Sequence, residues 1–169
     1  MKLFGLINNS PPEDSKTIQI LTKWRDQIKP TLDPNIINEI ENYVSNIPIE
    51  IPVDQPPLEL NLNEYEKKKK FEAKPKANRR DWAYALAGAG SSMIGCCFED
   101  QEHHMDVAFW CFLEAALIYL ESDHLSNVAF YLLEKNALDD AQTLLCYSYF
   151  KDKTNYGTFK YFSSACSKW

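Results

Sequence analysis

The stretch from residue 81 to residue 140 is both the most apolar and the most acidic part of this chain. It contains eleven Asp and Glu residues but only one basic residue, Lys135, so it carries a net charge of −10 within a 169-residue chain of net charge −6. A segment that is rich in core-forming residues and charged with one sign is expected to fold into a compact body with a negative surface. Such a surface repels nucleic acid and anionic membranes and attracts a basic partner.

Helical spacing of apolar residues dominates the sequence and predicts an all-α fold. Two amphipathic helices are expected over residues 10–30 and 33–47, each with a capping residue and a proline at its start. From residue 78 onward, helical patterns are separated by short loops, which implies antiparallel neighbours. The expected fold is a compact array of about seven helices with a repeat-like, helical-hairpin C-terminal body. The long helices of that body are expected over residues 82–97, 106–121, 122–134, 137–150 and 155–167.

A proline-rich segment separates these two groups of helices. Four prolines between residues 47 and 58 predict an extended strap without regular hydrogen bonding, followed by a basic helix over 60–73 and a polar connector over 74–80. The expected organisation is therefore an N-terminal part, residues 1–77, packed on an acidic helical body, residues 78–169, as one globular unit.

The composition favours a cytoplasmic protein. No apolar run reaches the about 20 residues that a membrane span needs, and the apolar run at the N-terminus is too short for a signal peptide. The five cysteines are odd in number and lie within helical sequence, so they are expected to be reduced and mostly buried.

The second long helix of the body carries its acidic residues along one line. At 100° per residue, Asp106, Glu114 and Glu121 fall within about 80° of each other, with Trp110 and Leu117 between them. An aromatic residue surrounded by carboxylates is typical of the centre of a protein–protein interface. We call these five residues the acidic stripe and predict that they bind a basic partner. The alternative is that the carboxylates keep a core helix soluble while Trp110 points into the core.

A second acidic cluster, formed by Glu99, Asp100 and Glu102, precedes this helix and is predicted to extend the same binding surface. Loops held by rigid helices often carry binding residues. The alternative is a solvated turn in which Glu102 favours a helix N-terminus.

No catalytic or cofactor-binding motif competes with this interpretation. Cys96, Cys97, His103 and His104 are close in sequence, but their spacing does not match the Cys and His ligand pairs of zinc sites. None of the common nucleotide-binding, metalloprotease or serine-hydrolase motifs occurs. We therefore expect no enzyme activity, no cofactor and no metal. A small hydrolase is the alternative, and it requires a histidine beside Cys96 or Cys97.

Basic residues between positions 67 and 80 are the one feature that suggests nucleic acid. Because glutamates flank and interrupt them, and because the acidic body follows directly, an intramolecular role is favoured and no nucleic-acid binding is expected. The basic segment would then lie across the acidic helices or keep a surface helix in solution.

Two segments combine acidic and aromatic residues with core-forming ones, and together with the sequence between them they span about a third of the body. These are residues 81–87, Asp81-Trp82-Ala83-Tyr84-Ala85-Leu86-Ala87, and residues 106–114, Asp106-Val107-Ala108-Phe109-Trp110-Cys111-Phe112-Leu113-Glu114. In this combination of acidic, aromatic and core-forming residues, the chain resembles bacterial immunity proteins, in particular those of contact-dependent growth inhibition systems. The resemblance implies tight binding to one cognate, basic toxin domain of the nuclease type, with carboxylates covering the surface that the toxin uses for phosphates.

A different class of function, a helical-repeat adaptor that binds an intracellular peptide or protein client, is the alternative. It predicts an open concave face lined by Tyr84, Trp110, Tyr119 and Tyr131. The positions of these aromatic rings in the fold therefore bear on both interpretations.

Overall fold

The computed structural model describes residues 14–45, 76–96 and 101–167. Seven α-helices and no strand occur in these ranges, which confirms the predicted all-α fold. The predicted proline-rich strap and basic helix lie outside the described residues. The helices are α1 (Asp14–Ile28), α2 (Pro34–Ser45), α3 (Lys76–Cys96), α4 (Gln101–Ile118), α5 (Ser122–Glu134), α6 (Leu138–Lys151) and α7 (Tyr156–Ser167), with a 3-10 turn, Lys29–Thr31, after α1.

Helices α3 and α4 pack against each other, and a glycine of α3 lies at their contact. A Cβ atom at Gly90 would lie 3.0 Å from the Cβ of Cys111 and 3.2 Å from the carbonyl oxygen of Ala108. A larger residue at this position would therefore push against the backbone of α4. Gly88, two residues earlier, has free space beside it within the described part of the chain, because a Cβ there would meet no described atom within 4 Å.

An aromatic cluster centred on α4 joins three helices in the core. Phe109 is fully buried and stacks on Tyr131 of α5, with 5.4 Å between the ring centroids. It also meets Trp24 of α1 edge-on at 6.1 Å. Rings of this size bury large apolar areas, so the cluster ties both α1 and α5 to α4.

Helix α1 lies across α4 and contacts α6, where polar contacts hold it at two points. Trp24 Nε1 donates a 2.7 Å hydrogen bond to Asp140 in the first turn of α6, and Lys23 donates to the same carboxylate. Near the start of α1, the hydroxyl of Tyr147 donates to Asp14. The N-terminal helix is therefore packed on the acidic body through a shared core.

Helix α5 is closed by a left-handed residue that turns the chain back on itself. Asn136 has φ 60°, and the N–H groups of Asn136 and Ala137 donate to the carbonyls of Leu133 and Leu132 at 3.1 and 2.8 Å. This is a Schellman motif, for which asparagine is a common substitute for glycine. The turn lets α6 run back along α5 and end beside its first residues.

Three ends of α3 and α4 differ from the sequence prediction by at least three residues. Helix α4 begins at Gln101, five residues before its predicted start, so Glu102 lies in a helix and not in a loop. Helix α3 begins at Lys76, within the segment expected to be a polar connector, so the predicted boundary after residue 77 falls inside a helix. Lysine, alanine and arginine are good helix formers, and polar character alone does not stop a helix. Helix α4 ends at Ile118, so Glu121 is not part of it; Glu121 has extended backbone, φ −113° and ψ 154°, just before α5.

Candidate partner-binding site

Trp110, predicted as the exposed centre of the acidic stripe, is part of the core. Its side chain is 1 % exposed, and the ammonium of Lys29, just after α1, lies 5.7 Å from the centre of its ring. The prediction that Trp110 is an exposed anchor is therefore wrong. The spacing within one helix gives the angles between its residues, but it does not reveal that a distant helix covers them.

Glu114 and Leu117 also lie against neighbouring elements. The side chain of Glu114 is 17 % exposed, and its Oε1 lies 3.8 Å from Nε of Arg25 in α1. Burial raises the pKa of Glu114, and the charges of Arg25 and Lys29 oppose this effect. Leu117 is half-buried and packs on the core. Neither residue offers a freely accessible surface.

The two outer carboxylates of the acidic stripe are paired with cations of this chain. Asp106 accepts a 2.9 Å hydrogen bond from Lys135, which follows α5, and Glu121 accepts a 3.0 Å hydrogen bond from Arg80 of α3. Together with Glu114, all three carboxylates of the stripe thus have intramolecular ion-pair partners. The structure does not bring the five residues together as one exposed surface.

Of the second acidic cluster, only Glu102 lies within the described residues. It is exposed in the first turn of α4, where a carboxylate interacts favourably with the helix dipole. Glu99 and Asp100 lie outside the described residues, so a binding role for this cluster stays a prediction.

A polar pocket of about 450 Å³ opens where α5 begins, between the start of α3 and the end of α6. Three carboxylates and two cations line it, and one of the cations, Arg80, is already paired with Glu121. The side chains that give the pocket its character are Arg80, Tyr84, Tyr119, Glu121, Asp123, Lys151 and Asp152. We call this the polar pocket.

Asp123 connects three helices at the polar pocket. Its carboxylate accepts a 3.0 Å hydrogen bond from the hydroxyl of Tyr84 in α3 and a second hydrogen bond from the side-chain amide of Asn155. Asn155 in turn caps α7 by accepting the N–H of Thr158 at 2.9 Å. Glu121, burial and Asp123 together raise the pKa of Tyr84, so its hydroxyl remains a hydrogen-bond donor at neutral pH.

Buried hydroxyl groups support the pocket from behind. The Oγ of Ser148 in α6 lies 2.6 Å from Ser122 Oγ and 2.6 Å from Thr158 Oγ1. A fully satisfied polar network of this kind fixes the elements that it joins. The starts of α5 and α7 and the end of α6 therefore form a rigid frame around the pocket.

His124 is a buried titratable group next to the pocket. It is 1 % exposed, its ring meets that of Tyr84 edge-on at 4.8 Å, and neither ring nitrogen has a hydrogen-bond partner within the described part of the chain. Burial lowers its pKa, while Glu121 and Asp123 oppose the shift. The imidazole is therefore neutral at pH 7.

The polar pocket was not predicted from the sequence, because its residues come from three distant stretches around positions 80–84, 119–123 and 151–152. The sequence gives one indication of the pocket, which is the pair of acidic residues Glu121 and Asp123 on either side of Ser122. Such residues are equally typical of the start of a helix.

Two of the rings expected on an adaptor's concave face, Tyr84 and Tyr119, line the pocket. The other two, Trp110 and Tyr131, are buried in the core, so that face does not form as predicted.

Three of the five cysteines, Cys111, Cys146 and Cys166, lie within the described part of the chain, and all three are free thiols. In the described ranges, no three His, Cys, Asp or Glu side chains are arranged to hold a metal ion. Burial raises the pKa of Cys111 to about 12, which keeps this thiol protonated at neutral pH. Cys146 is buried and Cys166 is exposed, whereas the side chains of Cys96 and Cys97 lie outside the described part.

None of the helices in the described ranges is both long and apolar enough to cross a membrane. No protein-family model matches the chain, and neither a curated protein nor a solved structure is similar to it.

Proposed function

We propose that this protein is a cytoplasmic immunity protein that binds and neutralises a basic toxin domain of the nuclease type. The observation that carries the proposal is the polar pocket, set in a body with eleven acidic residues and one basic residue over positions 81–140. Carboxylates and tyrosine rings converge there on rigid helices. A basic side chain of a partner would find opposite charge and an aromatic surface in one place.

Glu121 is the residue that we expect to meet the partner directly. Its side chain lines the polar pocket, and its Oε1 accepts the hydrogen bond from Arg80. A guanidinium group entering beside Tyr84 would add a second charge-assisted hydrogen bond to this carboxylate.

Neutralisation would follow from competition for the toxin's phosphate-binding residues. A nuclease holds its substrate with Lys and Arg side chains that contact phosphates. Carboxylates bound to the same side chains exclude RNA or DNA, and charge complementarity speeds the capture of the toxin.

The proposal is tested by protection of growing cells. The C-terminal domain of the protein encoded directly upstream would be expressed inducibly, alone or with this chain. We expect the wild-type chain to restore growth and Glu121→Lys to lose protection, because the reversal places a lysine where the toxin's basic side chain would bind.

Asp139→Lys is the matched control, since it makes the same change of net charge at an exposed position in the first turn of α6, away from the pocket. It should still protect, and circular dichroism should show the same helix content for all three proteins. Failure of the wild-type chain to protect would refute the immunity function. Equal protection by all three would place the interface away from the polar pocket.

A further inference from the structure

A second opening, lined mainly by apolar residues, lies between α2 and α3 and shares no lining residue with the polar pocket. It measures about 680 Å³, and its floor and walls include Ile40, Tyr43, Ala85, Gly88 and Ala89. Tyr43 is 63 % exposed, although it carries a large apolar ring. We call this the α2–α3 groove.

The described residues give no reason for the glycine in this groove. A residue larger than glycine at position 90 would press on Cys111, but a Cβ at Gly88 would meet no described atom within 4 Å. A glycine inside a helix costs about 1 kcal/mol relative to alanine. The bare backbone at Gly88 leaves room for something outside the described chain to approach α3 closely.

The residues on the α3 side of the groove lie on one helical face. Ala85, Gly88, Ala89 and Ser92 follow the spacing that brings residues three and four positions apart together, and Asp81 lies one turn before Ala85 on the same face. From Asp81 to Ser92 this face is about 16 Å long at 1.5 Å per residue. That length matches three turns of a helix laid alongside α3.

The charges at the groove are acidic and unpaired. Glu39 lines the groove and Asp81 is exposed at its end, and neither has a cationic partner within the described ranges. This differs from Asp106, Glu114 and Glu121, each of which pairs with a cation of this chain. A basic occupant would balance the negative charges of Glu39 and Asp81.

We propose that the α2–α3 groove binds one amphipathic helix of a partner protein, with small and aliphatic residues against Gly88 and lysine or arginine facing Glu39 and Asp81. This is the helix-in-groove mode of recognition. A second copy of this chain fits less well, because symmetric pairing would set these same carboxylates against each other. The inference does not rest on toxin neutralisation, since it uses a different surface.

The test uses a fluorescein-labelled synthetic peptide of about 14 residues, close to the shortest length at which isolated helices form. It carries leucine and alanine on one helical face and lysine on the other, and a second peptide replaces the lysines with glutamates. Fluorescence anisotropy should show that the lysine peptide binds the full chain at least about tenfold more tightly than the glutamate peptide.

Gly88→Met is the decisive variant, because a Cβ at this position would meet no described atom within 4 Å and the rest of the side chain would occupy the groove. It should weaken binding of the lysine peptide by at least about tenfold. Ser91→Met, at an exposed position of α3 that does not line the groove, should bind as the wild type does. Glu39→Lys should weaken binding of the lysine peptide while leaving the helix content of the protein unchanged.

Three results would overturn the proposal. The first is equal affinity of Gly88→Met and the wild-type chain for the lysine peptide. The second is equal affinity of the lysine and glutamate peptides for the wild type. The third is a wild-type dimer in light scattering that Gly88→Met converts to a monomer, since the groove would then hold a second copy of this chain.

Discussion

At the scale of single residues, His124 has the least usual environment near the polar pocket. A neutral imidazole sits fully buried against Tyr84 without hydrogen-bond partners among the described residues. Because its folded pKa is lowered, the unfolded chain takes up a proton at a pH where the folded chain does not. The contribution of His124 to stability is therefore present above the unfolded pKa of about 6.5 and is lost as the pH falls below it.

We predict that this proton uptake makes the protein less stable in mild acid. The free energy of unfolding should fall between pH 7 and pH 5, with His124 contributing at most about 1.4 kcal/mol per pH unit. His124→Phe keeps an aromatic ring beside Tyr84 and should reduce that loss, as measured by urea unfolding at both pH values. Glu114, whose raised pKa acts in the opposite direction, is present in both proteins and cancels in the comparison. Equal pH dependence in both would mean that the ring is not buried.

At the scale of helices, two glycines in α3 have opposite roles. We predict that Gly88→Ala raises the free energy of unfolding by about 0.5–1 kcal/mol. Alanine reduces the backbone entropy of the unfolded chain, and its methyl group meets no described atom within 4 Å in the folded protein. Gly90→Ala should lower it by about 1–3 kcal/mol, because the new methyl group would press on Cys111 and Ala108 of α4. Urea unfolding of the two variants tests this directly. A Gly90→Ala protein as stable as the wild type would rule out the close crossing of α3 and α4.

A helix end can be predicted from the sequence when the residues that cause it lie next to it in the chain. Helices α5, α6 and α7 begin and end within one residue of their predicted bounds, and at the start of α7 the predicted cap is present as the hydrogen bond from the N–H of Thr158 to Asn155. The end of α4 at Ile118 was not predicted, because neither glycine nor proline follows it. The burial of Trp110 could not be predicted for a different reason: it depends on α1, about eighty residues earlier in the sequence.

At the scale of the whole molecule, the acidic excess of residues 81–140 is partly neutralised within the fold. Lys23 and Arg25 of α1 contact Asp140 and Glu114, and Arg80 of α3 contacts Glu121. This arrangement lets carboxylates come close to the core at a smaller electrostatic cost. Among the described residues, the acidic groups left for a partner lie at the polar pocket, along the α2–α3 groove and at the exposed Glu102 and Asp139.

The measurement that tests the proposed function most directly is stopped-flow binding of the upstream-encoded toxin domain at increasing salt concentration, with wild type, Glu121→Lys and Asp139→Lys. We predict that association slows for all three as salt rises, because charges are screened beyond about 8 Å at physiological ionic strength. Dissociation should become at least about tenfold faster for Glu121→Lys alone, because it loses a direct contact in the polar pocket. Association that is insensitive to salt, or dissociation that is the same for all three proteins, would contradict binding of a basic partner at this pocket.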